Sequence, residues 1–316
     1  MNIGKKSVSF KAQQGIPPLD GKVILVTGGN IGLGKQCVLE YARHNPALIW
    51  LAARNLDKAK AAADEIQAQL PKATTGKPSP IKLLQMDLAS LESVRAAART
   101  VLAESGRLDI LMLNAGVMAA PPGLTKDGYE LQWGTNYLGH ALLAKLLRPL
   151  LESTAAAPGA DVRVVMVSTH GHMYAPKPEG IRFNTVRTTA DELGPYGRYG
   201  QSKLAMILWV RQMAKLYPQF TLASVHPGIV RTNLMNNATG SSFVIRVLGK
   251  VANHVVTPVD QGARNQLWAS VGKDVKSGEY YEPVGIGGTA TELGKDDGLA
   301  ARLWEWTEKE LGGYTA

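Results

Sequence analysis

The stretch that decides the fold is Lys22-Val23-Ile24-Leu25-Val26-Thr27-Gly28-Gly29-Asn30-Ile31-Gly32-Leu33-Gly34. An apolar, β-branched run passes directly into glycines spaced Gly-x-x-x-Gly-x-Gly and then into a helical pattern that Asn45-Pro46 stops. A strand feeding a glycine turn and then a helix is the context a dinucleotide-binding loop requires. Glycine lets the backbone approach a pyrophosphate, and the helix N-terminus offers free N–H groups at the positive end of its dipole. Taken alone, the same glycines also suit an ordinary tight turn.

Beyond Pro46 the chain keeps alternating strand and helix. A second strand over 47–51 runs into Ala52-Ala53-Arg54-Asn55. NAD sites place a carboxylate at the end of this strand for the ribose 2′-hydroxyl, whereas NADP needs a cation there. No Asp or Glu occurs between Pro46 and Leu56, so Arg54, with Asn30 and Asn55, points to NADP(H); the other reading of Arg54 is a surface residue. A helix over about 56–70 and a Pro/Gly/Ser loop precede a third strand, 81–86, ending in Asp87-Leu88. After a helix around 91–104, the strand 108–113 ends in Asn114-Ala115-Gly116. This alternation predicts right-handed crossovers and a parallel sheet with ligands at the carboxyl ends of its strands.

A helix is expected from about 125 to 151, carrying Asn136 in an apolar setting where its amide needs a partner. The fifth strand, 162–167, delivers Ser168 to the same sheet edge as the glycine loop. An irregular segment with His170, His172 and Tyr174 then leads to Tyr199. A sixth strand, 220–225, ends in His226-Pro227-Gly228-Ile229-Val230-Arg231-Thr232. Met235 and Phe243 belong to a segment read as a cover over an apolar pocket. With Arg246 and Lys250 nearby, it also reads as an interaction or membrane-surface helix. A last short strand at 278–283 and an amphipathic helix at 296–311 close the chain. The expectation is one doubly wound α/β domain over 21–316 with seven parallel strands, a substrate-loop region at 230–258 and a polar arm at 1–20.

Tyr199 and Lys203 stand four apart at the start of a helical stripe continued by Met206, Trp209 and Met213, so they share a face. A phenol titrates near ~10, and an adjacent ammonium favours its phenolate, which makes the pair a candidate acid/base unit. Read alone, Y-x-x-x-K also fits an exposed helix start.

Composition narrows the function classes. The 316 residues are 45% apolar with mean hydropathy near zero, as in a globular enzyme large enough for a sizeable core. The net charge of +9 is dispersed rather than clustered, which argues against nucleic acid. A single cysteine, Cys37, excludes a disulfide framework and a cysteine metal cluster. His170, His172 and His226 have no carboxylate or cysteine at ligand spacing, so no metal site is expected. No leading signal or anchor and no run of membrane-spanning length is visible, which makes the cytosol the default.

Together, residues 27–34, Asn114-Ala115-Gly116, Asn136, Ser168, Tyr199 with Lys203, and Pro227-Gly228 resemble the short-chain dehydrogenase/reductase family, in the right order and from about residue 21 to 283. Ala53-Arg54-Asn55, Asn114 to Met118, Tyr199 to Leu204 and His226 to Thr232 resemble its retinol-dehydrogenase-like branch. Met206 departs from that branch, where Asn is common, as does the missing anchor of its microsomal members. The resemblance implies a Rossmann fold and hydride transfer between NADP(H) and a carbonyl or alcohol on an apolar or aromatic small molecule, in the reductive direction. It implies Tyr199 as proton donor, Ser168 on the substrate oxygen, Lys203 lowering the Tyr199 pKa and holding the ribose, and Asn136 positioning a relay water. It further implies nucleotide contacts from Thr27, Gly28, Asn30, Ile31, Gly32, Leu33, Gly34, Arg54, Asn55, Asp87, Leu88, Asn114, Ala115, Gly116, Pro227, Gly228, Ile229 and Thr232. His170, Tyr174, Met235 and Phe243 are the substrate-contact candidates. A retinal or sterol dehydrogenase and a catalytically idle NADP-binding scaffold are the alternative readings. Homodimers and homotetramers are common in the family.

Overall fold

In the computed structural model, which describes residues 7–70, 81–230 and 257–315, a one-turn helix at Ala12–Gly15 (α1) leads to β1 (Val23–Thr27) and α2 (Gly32–Ala42). Then come β2 (Leu48–Ala53), α3 (Leu56–Gln69), β3 (Ile81–Gln85), α4 (Leu91–Glu104) and β4 (Ile110–Leu113). A π-helical turn at Trp133–Leu138 runs into α5 (Gly139–Ala155), followed by β5 (Arg163–Val167), α6 (Gly194–Leu216) and β6 (Thr221–Val225). The last elements are α7 (Val259–Gly262), α8 (Arg264–Val271), β7 (Glu279–Glu282), β8 (Ile286–Gly287) and α9 (Asp297–Glu310).

Strands β1, β2, β4 and β5 are buried at every residue, as strands covered on both faces must be. The hydrogen-bonded order is β3-β2-β1-β4-β5-β6-β7-β8. The first seven strands are parallel, as the alternation implied, and the sheet is doubly wound. The eighth, antiparallel to β7, is two residues long and too short to carry a pattern in sequence. Side chains alternate between two cores. Leu25, Trp50, Leu111 and Val164 face α4, α5, α6 and α9, whereas Ile24, Ile49, Ile110 and Val165 face α2, α3 and α8. The leading segment adds Phe10, Ile16 and Leu19 to the second core, so its apolar residues are anchors within a polar stretch.

Two elements start more than two residues away from the sequence reading. The expected helix from residue 125 begins at 131. Gly128 adopts a φ of 77° in a turn closed by the Leu124–Glu130 bridge, and the Glu130 carboxylate accepts from Trp133 N at 2.6 Å. α6 begins at Gly194, five residues ahead of Tyr199, because Pro195 suits a first helical turn where no N–H partner is needed. Tyr199 and Lys203 therefore lie inside the helix rather than at its mouth, and α6 is buried continuously from Arg198 to Val210. The alternative of an exposed helix start is thereby excluded.

Opposite the carboxyl edge, Asp109 ties β1 to β4. Its fully buried carboxylate accepts from Val23 N at 2.9 Å, from Arg107 Nε at 2.8 Å and from Lys22 Nζ at 3.1 Å. Burial alone would push this carboxyl up, but the bonds from Arg107, Val23 and Lys22 hold it below the ordinary carboxylate range. Its contribution is therefore complete above about pH 4, the unfolded-chain value, and is lost as pH falls through the depressed native value. Asp109→Asn should cost on the order of 2 kcal/mol in urea unfolding at pH 7, with the gap to wild type narrowing below about pH 4.

Candidate active site

The strand order reverses between β1 and β4, and a cleft of about 500 Å³ opens there at the carboxyl edge of the sheet. Gly28, Ile31, Gly32 and Leu33 form one wall, and Asn114 to Met118 the floor. Val167, Ser168, Thr169, Tyr196, Tyr199 and Lys203 line the opposite side, and residues 226–230 the end.

The glycine loop is built for close approach. Gly28 and Gly32 have φ of 65° and 54°, and a Cβ on Gly34 would lie 2.3 Å from Gly28 O and 2.6 Å from Asn114 Nδ2. α2 starts without a side-chain cap and without an acidic residue in its first turn, leaving its leading N–H groups for an anion. A dinucleotide pyrophosphate fits that cradle. Asn114 joins the loop to the floor. Its N–H and that of Ala115 both donate to Thr27 Oγ1, at 2.8 and 2.9 Å, and its Nδ2 donates to Thr27 O at 2.9 Å.

Tyr199, Lys203 and Ser168 line the same cleft and are 6%, 4% and 2% exposed. Two crossed bonds fix α6 to the end of β5. Lys203 Nζ donates to Val167 O at 2.8 Å, and Ser168 Oγ donates to Lys203 O at 2.8 Å. The serine proton is thus engaged, and donation to a substrate oxygen requires rotation of the hydroxyl out of this bond. Asn136, fully buried, clamps the floor. Its Oδ1 accepts from Val117 N at 2.8 Å, and its Nδ2 donates to Val117 O and to Ser202 Oγ, both at 2.9 Å. A Cβ on Gly116 would come within 3.0 Å of Asn136 Oδ1 and 3.5 Å of Lys203 Nζ, so only glycine leaves this corner open.

The electrostatics correct one expectation. Burial pushes the Tyr199 phenol up, not down, and lowers Lys203 to about 7. The reason is geometric: the ammonium points at the Val167 carbonyl and lies 5.7 Å from the centre of the Tyr199 ring, with no carboxylate among the described residues paired to it. Tyr199 therefore keeps its proton at neutral pH, and Lys203 titrates instead. Burial also lowers His226 to about 4, so the imidazole at the end of the cleft is neutral.

Other expected residues lie further out. Arg54 is exposed at the carboxyl end of β2, with no ion pair among the described residues. Asn30 sits in the glycine loop, and Asn55 Oδ1 caps α3 by accepting from Lys58 N at 2.8 Å. Asp87 Oδ1 accepts from Ala89 N at 3.1 Å and the Leu88 side chain is packed into the core; neither residue lines the cleft. His170 is not among the lining residues: its Nδ1 lies 2.7 Å from Glu282 Oε1, and its ring is 6.2 Å from that of His226, which does line the cleft. Tyr174 is not among the lining residues; its ring lies 6.2 Å from that of Tyr196, which is. Thr232, Met235 and Phe243 lie outside the described residues. Tyr196 and Met118 also line the cleft, although the sequence reading does not single them out. The i−3 spacing of Tyr196 from Tyr199 is the available signal. Among the described residues no group of three His, Cys, Asp or Glu is placed to hold a metal.

A family model described as short chain dehydrogenase matches residues 22–178. The chain is 40% identical to the short-chain dehydrogenase/reductase drtF of Aspergillus calidoustus, over 94% of this chain and 95% of that one. The chain belongs to the short-chain dehydrogenase/reductase family. Within it the chain is retinol-dehydrogenase-like, being 32% identical to human retinol dehydrogenase 13 over 93% of this chain and 86% of that protein. A solved protein from Mycobacterium paratuberculosis superposes with a TM-score of 0.69 at 28% identity, covering 96% of this chain and 97% of its own. As a family member the chain is an oxidoreductase that uses a nicotinamide cofactor on a small molecule.

Lys203 gives this site a stability signature. An amine whose native pKa falls below its unfolded value carries the full burial penalty below about pH 7 and none above about 10.5, where both states are neutral. Lys203→Met should therefore raise the melting temperature by about 3 °C or more at pH 6, with the difference shrinking as pH rises toward 10.

Proposed function

We propose that this protein is an NADP(H)-dependent carbonyl reductase acting on an apolar or aromatic small molecule. The carrying observation is that Tyr199, Ser168 and Lys203 converge on one cleft with the glycine loop at the reversal of strand order. A bound reduced nicotinamide supplies the hydride. The chain's own residues must then hold the carbonyl and deliver a proton to the forming alkoxide.

Tyr199 is suited to the second task because its phenol, raised by burial, is protonated at neutral pH and lines the same cleft as Ser168. Ser168, rotated out of its bond to Lys203 O, donates to the oxygen on which negative charge develops. Lys203, with a pKa near 7, exchanges protons readily in this range and serves as the relay that replenishes Tyr199. Asn136 keeps Gly116 and Val117 in place beside that amine. Gly28 and Gly32, which line the cleft, and Gly34, packed against Gly28 O, hold the pyrophosphate in this reading. Asn114 to Gly116 and Asp87-Leu88 take the adenosine half, and Pro227 to Ile229 the nicotinamide end. Thr232 completes that last set in sequence.

Preference for NADP(H) rests on Arg54, exposed at the end of β2 in a segment lacking any carboxylate. Val117, Met118, Tyr196 and Val230 line the cleft without a nucleotide role and make that part of it apolar, which supports a lipophilic or aromatic substrate. The likeness to retinol dehydrogenase 13 favours retinal-like aldehydes as a second substrate reading. Among the described residues no helix is long and apolar enough to cross a membrane. With one buried thiol and no disulfide to protect, we place the enzyme in the cytosol.

Following NADPH absorbance with a panel of aldehydes and ketones should reveal turnover. Tyr199→Phe should lower kcat by about 10³-fold or more while NADPH binding is retained; a residual rate near wild type would remove Tyr199 as the acid. Arg54→Asp should raise the KM for NADPH about tenfold or more relative to NADH, and an unchanged ratio would remove Arg54 from the 2′-phosphate site.

A further inference from the structure

His140 is fully buried and belongs to no role assigned above, yet it touches both halves of the site. Its Nε2 lies 2.9 Å from Thr27 Oγ1, and its Nδ1 lies 2.8 Å from Asn136 O. The direction of these bonds is fixed by counting. Thr27 Oγ1 already accepts from Asn114 N and Ala115 N, which uses both lone pairs. Its one proton must therefore go to His140 Nε2. The ring proton is then on Nδ1 and is donated to the Asn136 carbonyl.

This carbonyl belongs to the π-helical turn Trp133–Leu138, in which Gly139 N–H reaches back five residues to Gly134 O. Such turns displace carbonyls from the regular ladder and occur at functional sites. Here the displaced geometry sets Asn136, whose side chain clamps Val117 and adjoins the corner that Gly116 and Lys203 share. Burial, aided by the nearby Lys203 charge, lowers His140 to about 4, so the imidazole remains neutral and keeps one tautomer across the working pH range.

We propose that His140 is a positioning residue: a one-way hydrogen-bond bridge from the Thr27 hydroxyl, beneath the nucleotide loop, to the backbone carbonyl of Asn136, the residue whose side chain adjoins the corner of the proton-relay amine. The proposal rests on the oxidoreductase reading above. Its consequence is that the two bonds govern different quantities. The Thr27 end sets the nucleotide floor, and the Asn136 end sets the relay corner.

Three variants separate them. His140→Leu removes both bonds, His140→Asn keeps a donor at the place of Nδ1, and His140→Gln keeps a group at the place of Nε2. In NADPH-driven carbonyl reduction, His140→Leu and His140→Gln should lower kcat about tenfold and shift the pH of half-maximal rate by about 0.5 unit or more, with His140→Asn recovering most of that loss. NADPH affinity, measured by fluorescence titration, should fall about threefold or more in His140→Leu and His140→Asn and least in His140→Gln. Independently of turnover, long-range ¹⁵N–¹H NMR of the cofactor-free protein at pH 7 should show the Nδ1–H tautomer. An Nε2–H tautomer would overturn the proposal. So would uniform losses in all three variants that track the melting temperature with no shift in pH profile. If wild-type protein reduces no carbonyl, the oxidoreductase reading fails by itself, and the tautomer with the NADPH affinities still decides the bridge.

Discussion

Every feature of the cleft depends on how the sheet is closed where its winding reverses. At that point the crossovers leave β1 and β4 toward opposite faces, and the carboxyl ends of the two strands would part were they not joined. Thr27 joins them: its hydroxyl takes both the Asn114 and the Ala115 N–H, and its carbonyl takes the Asn114 amide. Gln266 from α8 supports the same asparagine, donating to Asn114 Oδ1 at 3.1 Å. The fork is thus open enough to admit a ligand and rigid enough to keep the glycine loop opposite α6. One hydroxyl, with two acceptor sites and one proton, can hold this fork only if a third group accepts that proton, which is why a buried, neutral imidazole stands behind it.

The second constraint is burial of α6. A helix covered on every side gives its polar residues few partners, and those present are spent on positioning. Ser202 Oγ donates to Tyr199 O at 2.8 Å and receives the Asn136 amide. Arg198, 1% exposed at its side chain, faces Glu130 at 3.4 Å and donates to Ala120 O at 2.9 Å, which ties the segment after β4 to the turn carrying Tyr199. Gly200 allows the 3-10 turn over His170–Tyr174 to close on the helix, because a Cβ there would lie 2.6 Å from Ala175 N. The dry environment that fixes the helix also raises the phenol and lowers the amine. Close spacing of a tyrosine and a lysine does not by itself make a phenolate; the cost of charge in a buried site has the larger effect here.

Legibility in the sequence tracks the range of the interactions. The strand run at residues 23–27, the glycine spacing and the alternation of elements are local patterns set by strand and helix periods, and they suffice for the parallel sheet and its carboxyl edge. The shared face of Tyr199 and Lys203 comes from four-residue spacing. Features that escape a sequence reading are set by contacts distant in the chain or by local geometry without a period. The start of α6 at Gly194 reflects Pro195 in a first turn. The π-helical turn has no period signature, and the engagement of the Ser168 proton by Lys203 O spans 35 residues. His140 carries no signal of its own because its meaning comes from Thr27, 113 residues earlier. Arg54 is legible as a cation at a strand end, since its exposure leaves nothing nearby to alter that reading.

The π-helical turn is held from three directions, and this relates the C-terminal helix to a cleft that none of its residues lines. From the loop side, Glu130 caps Trp133 N. From the sheet side, His140 and Asn136 anchor the turn to Thr27 and Val117. From outside, α9 braces it: Trp306 packs edge-on against Trp133 at 5.6 Å between ring centres, Thr307 bonds the Tyr137 hydroxyl, and Glu310 takes the Tyr129 hydroxyl at 2.6 Å. A π turn is a costly deviation from the regular ladder and relaxes toward α geometry unless its surroundings oppose the change. With Trp133 and Tyr137 seated against α9, relaxation would drag two buried rings out of register with the last helix of the chain. The geometry at Asn136 is therefore stabilised by aromatic packing outside the cleft as much as by hydrogen bonds within it, and it depends on the docking of the C-terminal helix.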